Sequence, residues 1–223
     1  MRARRGLIAG WVIVGLFAAA IVVALVTTPD GGVQPGDREG DDEAASDFID
    51  AWERSWGGTF LRTGTFERRS DVTDAAISSE DLLAQRPPER LHRQLGGVDG
   101  RDDRRIIVCP AQPGDDGDPA ECVFGDPTGA TYDEDLAAEV AALHTLVAGP
   151  TPVYAVERTS DGCFALEQLR NEPRAPFGIE ASFCFDDATG APTDSQVRYA
   201  GGIVEVIAVT DLVGTVDDAD LEP

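Results

Sequence analysis

Four cysteines, Cys109, Cys122, Cys163 and Cys184, constrain what this chain can fold into more than any other feature. None stands in a C-x-x-C pair, and none sits at metal-ligand spacing with a histidine. An even set of this kind reads as a disulfide framework if the compartment is oxidising. Three connectivities are open to four cysteines. In an antiparallel pair, one step forward on one strand is one step back on its partner. Pairing Cys163 with Cys184 therefore sets Phe164 against Phe183 and Leu166 against Ala181, on the side of the sheet opposite the cysteines, with the turn near Glu172 and Pro173 in RNEPRAP. Pairing Cys109 with Cys122 centres a turn on Asp115 and Asp116, in QPGDDGDP. Both turns fall where turn-forming residues stand. The other two connectivities tie the segments together, whereas this one gives two self-contained hairpins. The sequence therefore predicts Cys109–Cys122 and Cys163–Cys184, each stabilising by roughly 3 kcal/mol, chiefly by restricting the unfolded chain.

The compartment is read from the N-terminus. Leu7 to Val26, LIAGWVIVGLFAAAIVVALV, is an uncharged apolar run. At about 1.5 Å per residue such a helix spans a hydrocarbon core of about 30 Å. Arg2, Arg4 and Arg5 precede it, and the next basic residue is Arg38. The positive-inside rule places the N-terminus in the cytoplasm and the rest outside. A cleaved signal peptide is the rival, with Ala18–Ala20 as its processing site. The apolar residues continue past that site to Val26, so an uncleaved single-pass anchor in the cell membrane is the expectation. Residues 1–26 are then stub and anchor. Residues 27–42, TTPDGGVQPGDREGDD, are a tether without apolar period. Residues 43–211 are the extracytoplasmic domain, and 212–223 an acidic tail expected to be loose.

The whole chain carries a net charge of −23, and its first 26 residues hold three arginines and no acid, so the remainder carries −26. That field disfavours binding to nucleic acid or anionic lipid. All 18 basic residues are arginine. Because the acids are spread along the chain, composition and habitat account for them more simply than a cationic partner does.

Ala44 to Trp56 has helical spacing, with Phe48, Ile49, Trp52 and Trp56 on one stripe and Gly57-Gly58 as its stop. A run of about five strands follows. In TFLRTGTFERR, Phe60, Arg62, Gly64, Phe66 and Arg68 alternate onto one face, and Pro87-Pro88 breaks AAISSEDLLAQ from ERLHRQL. Thr131 to Pro150 is a second helix, capped by Thr131 or Asp133, with Leu136, Val140, Leu143 and Val147 on its apolar side. About four more strands follow, QVRYAGGIVEVIAVT being read as one. Successive strands joined by short turns mean an antiparallel sheet whose apolar face two helices must cover. The expected class is α+β, with one large curved sheet forming an open half-barrel.

No motif for catalysis stands out. The two histidines, His92 and His144, are isolated, His92 reading as a surface residue of a basic strand and His144 as a helix flank. There is no H-E-x-x-H, P-loop, G-x-G-x-x-G or G-x-S-x-G. DGRDD and DDGD lack the spacing of a calcium loop and read as solvated turns. No cofactor or metal is implied, and no enzyme is expected. The aromatic stripe reads first as core. Its functional alternative is an apolar cleft lined by Phe48, Trp52, Trp56, Phe60, Leu136, Val140 and Leu143.

Two stretches carry a family resemblance. AQRPPERLHRQ resembles the R-P-x-x-(F/L)-R segment of the LolA-like lipoprotein carriers, with Leu91 at the apolar position and His92 where the carriers often have arginine. FCFDDATGAP resembles their hydrophobic-D-x-x-T-G-(L/A)-P strand and turn. The order of elements behind an export signal is also similar to that superfamily, in the membrane-anchored, actinobacterial form related to the LppX and LprG lipoproteins. The resemblance covers about residues 44–210. It implies a half-closed barrel that binds acyl chains, or a sensor for a lipid-bearing partner, and no catalysis; the alternative function is a module that binds a protein in the cell envelope.

Overall fold

The computed structural model describes residues 41–110, 122–125, 129–172 and 174–223. The apolar run at 7–26, the tether to residue 40, the Asp115–Asp116 turn with its DDGD and Pro173 lie outside them. Among the described residues no helix is long and apolar enough to cross a membrane.

Helix α1 runs from Asp42 to Gly57. The Asp41 carboxylate accepts from the backbone N–H of Glu43 at 2.9 Å, which starts it. Six strands follow: β1 (Phe60–Ser70), β2 (Ala76–Arg86), β3 (Glu89–Gln94), β4 (Gly97–Asp102), β5 (Arg105–Cys109) and β6 (Val123–Phe124). Helix α2 (Tyr132–Val147) begins at a capping box, in which Thr131 and Glu134 satisfy each other's backbone N–H groups. Five strands complete the domain: β7 (Tyr154–Ser160), β8 (Cys163–Gln168), β9 (Glu180–Phe185), β10 (Pro192–Arg198) and β11 (Ile203–Val213).

The eleven strands of the described residues form one antiparallel sheet in the order β6-β5-β4-β3-β2-β1-β11-β10-β9-β8-β7. The first strand and the last therefore pair at its centre. Each half is a meander, and α2 carries the chain from one side to the other. Residues of α2 contact both sides: Asp135 binds Arg101 of β4 at 2.6 Å, and the backbone N–H of Val153, just before β7, donates to Leu146. A helix of 16 residues is about 24 Å long. In a flat sheet β4 and β7, eight places apart, would be separated by about 38 Å. The sheet must curl for both contacts to exist, and the expected half-barrel follows from that mismatch.

Register bears out the cysteine argument to the residue. Cys163 faces Cys184, Phe164 faces Phe183 and Leu166 faces Ala181. Ile107 faces Phe124 and Val108 faces Val123, a register that continues into the second bridge. Both disulfides form, Cys109–Cys122 and Cys163–Cys184.

Several expectations are corrected. GVDGRD is strand β4, although its glycines and aspartates have low strand propensity. QVRYAGGIVEVIAVT is two strands, β10 and β11, turned at Gly201 and Gly202, both at positive φ. The link between β8 and β9 is a long excursion rather than a tight turn, and it delivers Phe177 to the core at 6% exposure. The tail is docked. Its 3-10 helix (Asp218–Leu221) lies against β2 and β3, and Leu221 packs on Leu91, Val98, Ile107 and Cys109 of the outer face. Arg86 pairs with Asp218 at 2.9 Å, and Arg93 donates to the carbonyl of Glu222.

Candidate functional site

The helix-covered face of the sheet has two unlike halves. On β7 to β9, Tyr154, Val156, Phe164, Leu166, Phe183 and Phe185 point to the helices. Phe48 of α1 lies 5.4 Å from Phe164 and 5.8 Å from Phe183, ring centre to ring centre. Trp52 lies 5.5 Å from both Phe177 and Phe183. Rings at these spacings fill the volume under α1. The Tyr154 hydroxyl satisfies the Phe177 loop by donating to Gly178 and accepting from the backbone of Phe177.

The other half, on β1 to β4, is charged. Arg62 and Asp81 are 3% and 1% exposed and pair at 3.1 Å. Asp81 also accepts from His92 Nε2 at 2.8 Å and Gln94 at 3.0 Å. Burial works against the Asp81 anion, but His92, Arg62 and Gln94 together hold its pKa below the ordinary carboxylate value. Burial likewise opposes the charged His92, yet hydrogen bonds to Asp81 and Asp99 raise its pKa above the usual imidazole value. The surface position expected for His92 is thus corrected: register with Leu83 and Asp99 turns it inward, where Asp81 awaits it. His144 is exposed on α2, as expected.

The two family-like stretches both reach the C-terminal end of α1. Arg62 donates to the carbonyl of Pro192, the last residue of FCFDDATGAP, at 2.7 Å. Within that stretch Asp186 accepts from Thr189 N and Oγ1, and Gly190 takes φ +74° where a Cβ would meet the Arg54 carbonyl at 2.8 Å. From AQRPPERLHRQ, fully buried Gln85 donates to the carbonyls of Ser55 and Gly58, closing the end of α1, and accepts from Arg90 at 3.1 Å. Phe183 and Phe185 face away from the Cys184 bridge into the core, as their alternation predicts.

The sequence-predicted cleft residues do not form one group. Phe48 and Trp52 belong to the aromatic cluster. Trp56 packs against Tyr132 at 5.4 Å, ring centre to ring centre, beneath Arg90. Phe60 packs with Leu83, Ala191 and Leu212. On α2, Leu143 is buried, while Leu136 and Val140 are half-buried. A recess of about 370 Å³ lies toward the outer face of β7 to β10, lined by Ala155, Ala165, Ser182 and Gln196 with Glu157 and Glu180, and none of these seven residues lines it. Sequence reasoning missed Arg62, Asp81, Gln85, Arg90 and Arg101. The available signal was Arg62 itself, sharing an alternating row with Phe60 and Phe66.

No family model matches the sequence, and no curated protein matches it. Among solved structures, the chain is similar to the Pseudomonas aeruginosa MucA/MucB complex, with TM-score 0.44 and 17% identity over 81% of this chain and 61% of that one. It is similar to a LolA superfamily protein from Nitrosomonas europaea, with TM-score 0.33 and 8% identity over 80% of this chain and 97% of that one. This chain spans about three fifths of the MucB chains it resembles. At these values the likenesses identify no family and transfer no ligand or partner.

Proposed function

We propose that this is an extracytoplasmic binding domain, tethered by residues 7–26, that holds a lipid or other amphipathic molecule between α2 and the concave face of the sheet. The carrying observation is the way α2 is seated. Tyr132, Leu143 and Val147 are its buried residues, while Leu136 and Val140 between them stay half-buried, next along the helix from Asp135, which binds Arg101 of β4. An apolar helix side left partly unsealed over a concave face is suited to admit an apolar chain. The apolar run and the disulfides support the extracytoplasmic placement. The reading is one of binding, not catalysis: Asp81 and His92, the groups suited to acid–base work, are engaged with each other and with Arg62 and Gln94.

Native mass spectrometry and lipid extraction of the purified chain test this. A bound amphiphile, released when Leu136 and Val140 are changed to aspartate, is the expected result; no adduct and no extractable lipid would sink the reading. A second reading, a module that binds an envelope protein, is favoured by the filled aromatic half and by exposed Val108, Val123 and Phe124 at the β5–β6 edge. In-membrane crosslinking from Val123 that captured a defined protein, with no lipid bound, would select it.

A further inference from the structure

Arg90 and Arg101 stand directly opposite each other on β3 and β4. Like charges so placed repel, and each normally needs an anion. Arg101 has one: Asp135 at 2.6 Å, with the Asp103 carbonyl as a further acceptor. Arg90 forms no ion pair among the described residues. Its contacts are Gln85 at 3.1 Å and the Trp56 ring at 5.3 Å. Trp56 meets Tyr132 at 5.4 Å with the ring planes tilted by 57°, and Arg101 covers the other ring at 5.2 Å. The result is a four-membered stack, Arg90–Trp56–Tyr132–Arg101, with a cation at each end. Two of its buried N–H groups, Trp56 Nε1 and Arg101 Nε, have no acceptor among the described residues. Two carboxylates, Asp99 on β4 and Glu139 on α2, act on Arg90 without forming an ion pair with it. Burial raises the Glu139 pKa, and burial pushes that of Arg90 down to about 10. A guanidinium without an ion pair, within residues 27–223 of net charge −26, is therefore a local exception, and it faces α2.

We propose that this stack is the oxyanion subsite of the binding face, in which Arg90 takes the carboxylate or phosphate group of the bound molecule. The ligand is then an acidic amphiphile, with its chain toward Leu136 and Val140 and its head on Arg90. This rests on the binding reading above.

Calorimetric titration of the full chain in phosphatidylcholine nanodiscs, with empty nanodiscs as blank, tests it using decanoate, decyl phosphate, neutral decanol and inorganic phosphate. The expected result is tighter binding of the anionic probes than of decanol by roughly tenfold or more, the effect of a charge-assisted hydrogen bond. Arg90→Met abolishes that preference and leaves decanol unchanged. Glu139→Gln, which keeps the stack intact, strengthens anion binding alone. Arg90-dependent binding of inorganic phosphate as tight as that of decyl phosphate supports the subsite and makes a free anion its source. Equal binding of decanoate and decanol, or a preference that survives Arg90→Met, overturns the subsite and leaves the apolar reading standing. Failure of every amphiphile to bind overturns both.

Discussion

At the scale of single residues, the consequential group is the buried Arg62–Asp81–His92 set. Removing one member of a buried ion pair leaves the other charge without a partner, at a cost of about 3–5 kcal/mol. Asp81→Asn should therefore lower stability by that order in chemical denaturation, whereas Arg62→Met with Asp81→Leu should cost less than the single change. The set also gives a pH dependence of definite sign. His92 has a raised pKa, so its contribution is full below the ordinary imidazole value of about 6.5 and is lost as pH rises through the folded value. Asp81 has a lowered pKa, so its contribution is present above the ordinary carboxylate value and is lost as pH falls through the folded one. Unfolding free energy should fall as pH rises from about 6.5, and His92→Gln should flatten that slope. None of this was legible from spacing. Asp81 and His92 lie on neighbouring strands, and their meeting depends on a register that Pro87-Pro88 merely hints at.

Among elements, those with local causes were the legible ones. Helix α1 shows in its aromatic stripe, α2 in its cap, and both disulfide pairings in the antiparallel register each one implies. What escaped were elements fixed by distant partners. Strand β4 has poor propensity and is held by β3 and β5. The β8–β9 link is long because Phe177 must reach Phe48 and Trp52. Phe177→Ala should cost about 3–5 kcal/mol, read as a lowered denaturation midpoint. Thr131→Ala should cost about 1 kcal/mol, and hydrogen exchange should show the loss concentrated in the first turn of α2.

For the whole molecule, the acidity is a destabilising field that salt screens. The melting temperature should rise as sodium chloride is raised from about 10 to 500 mM, where Debye lengths fall from tens of ångströms to a few; a flat or falling response would show that the charges are already neutralised locally. The candidate site was only partly legible at this scale. The residues expected to line one cleft are buried or half-buried, but they are divided among separate clusters, because the chain folds as two meanders joined at the centre. The docked tail was illegible because its anchor, Leu221, completes a patch on the outer face assembled from β3, β4 and β5.

The bridging of the sheet by α2 has a geometrical consequence. The helix is a chord and the sheet is its arc, so helix length sets how far the arc can open. One turn added to the chord lengthens it by about 5.4 Å without altering any residue on the arc. The opening of the sheet is therefore adjustable through a single parameter, the number of turns between Tyr132 and Val147, independently of the side chains on its concave face.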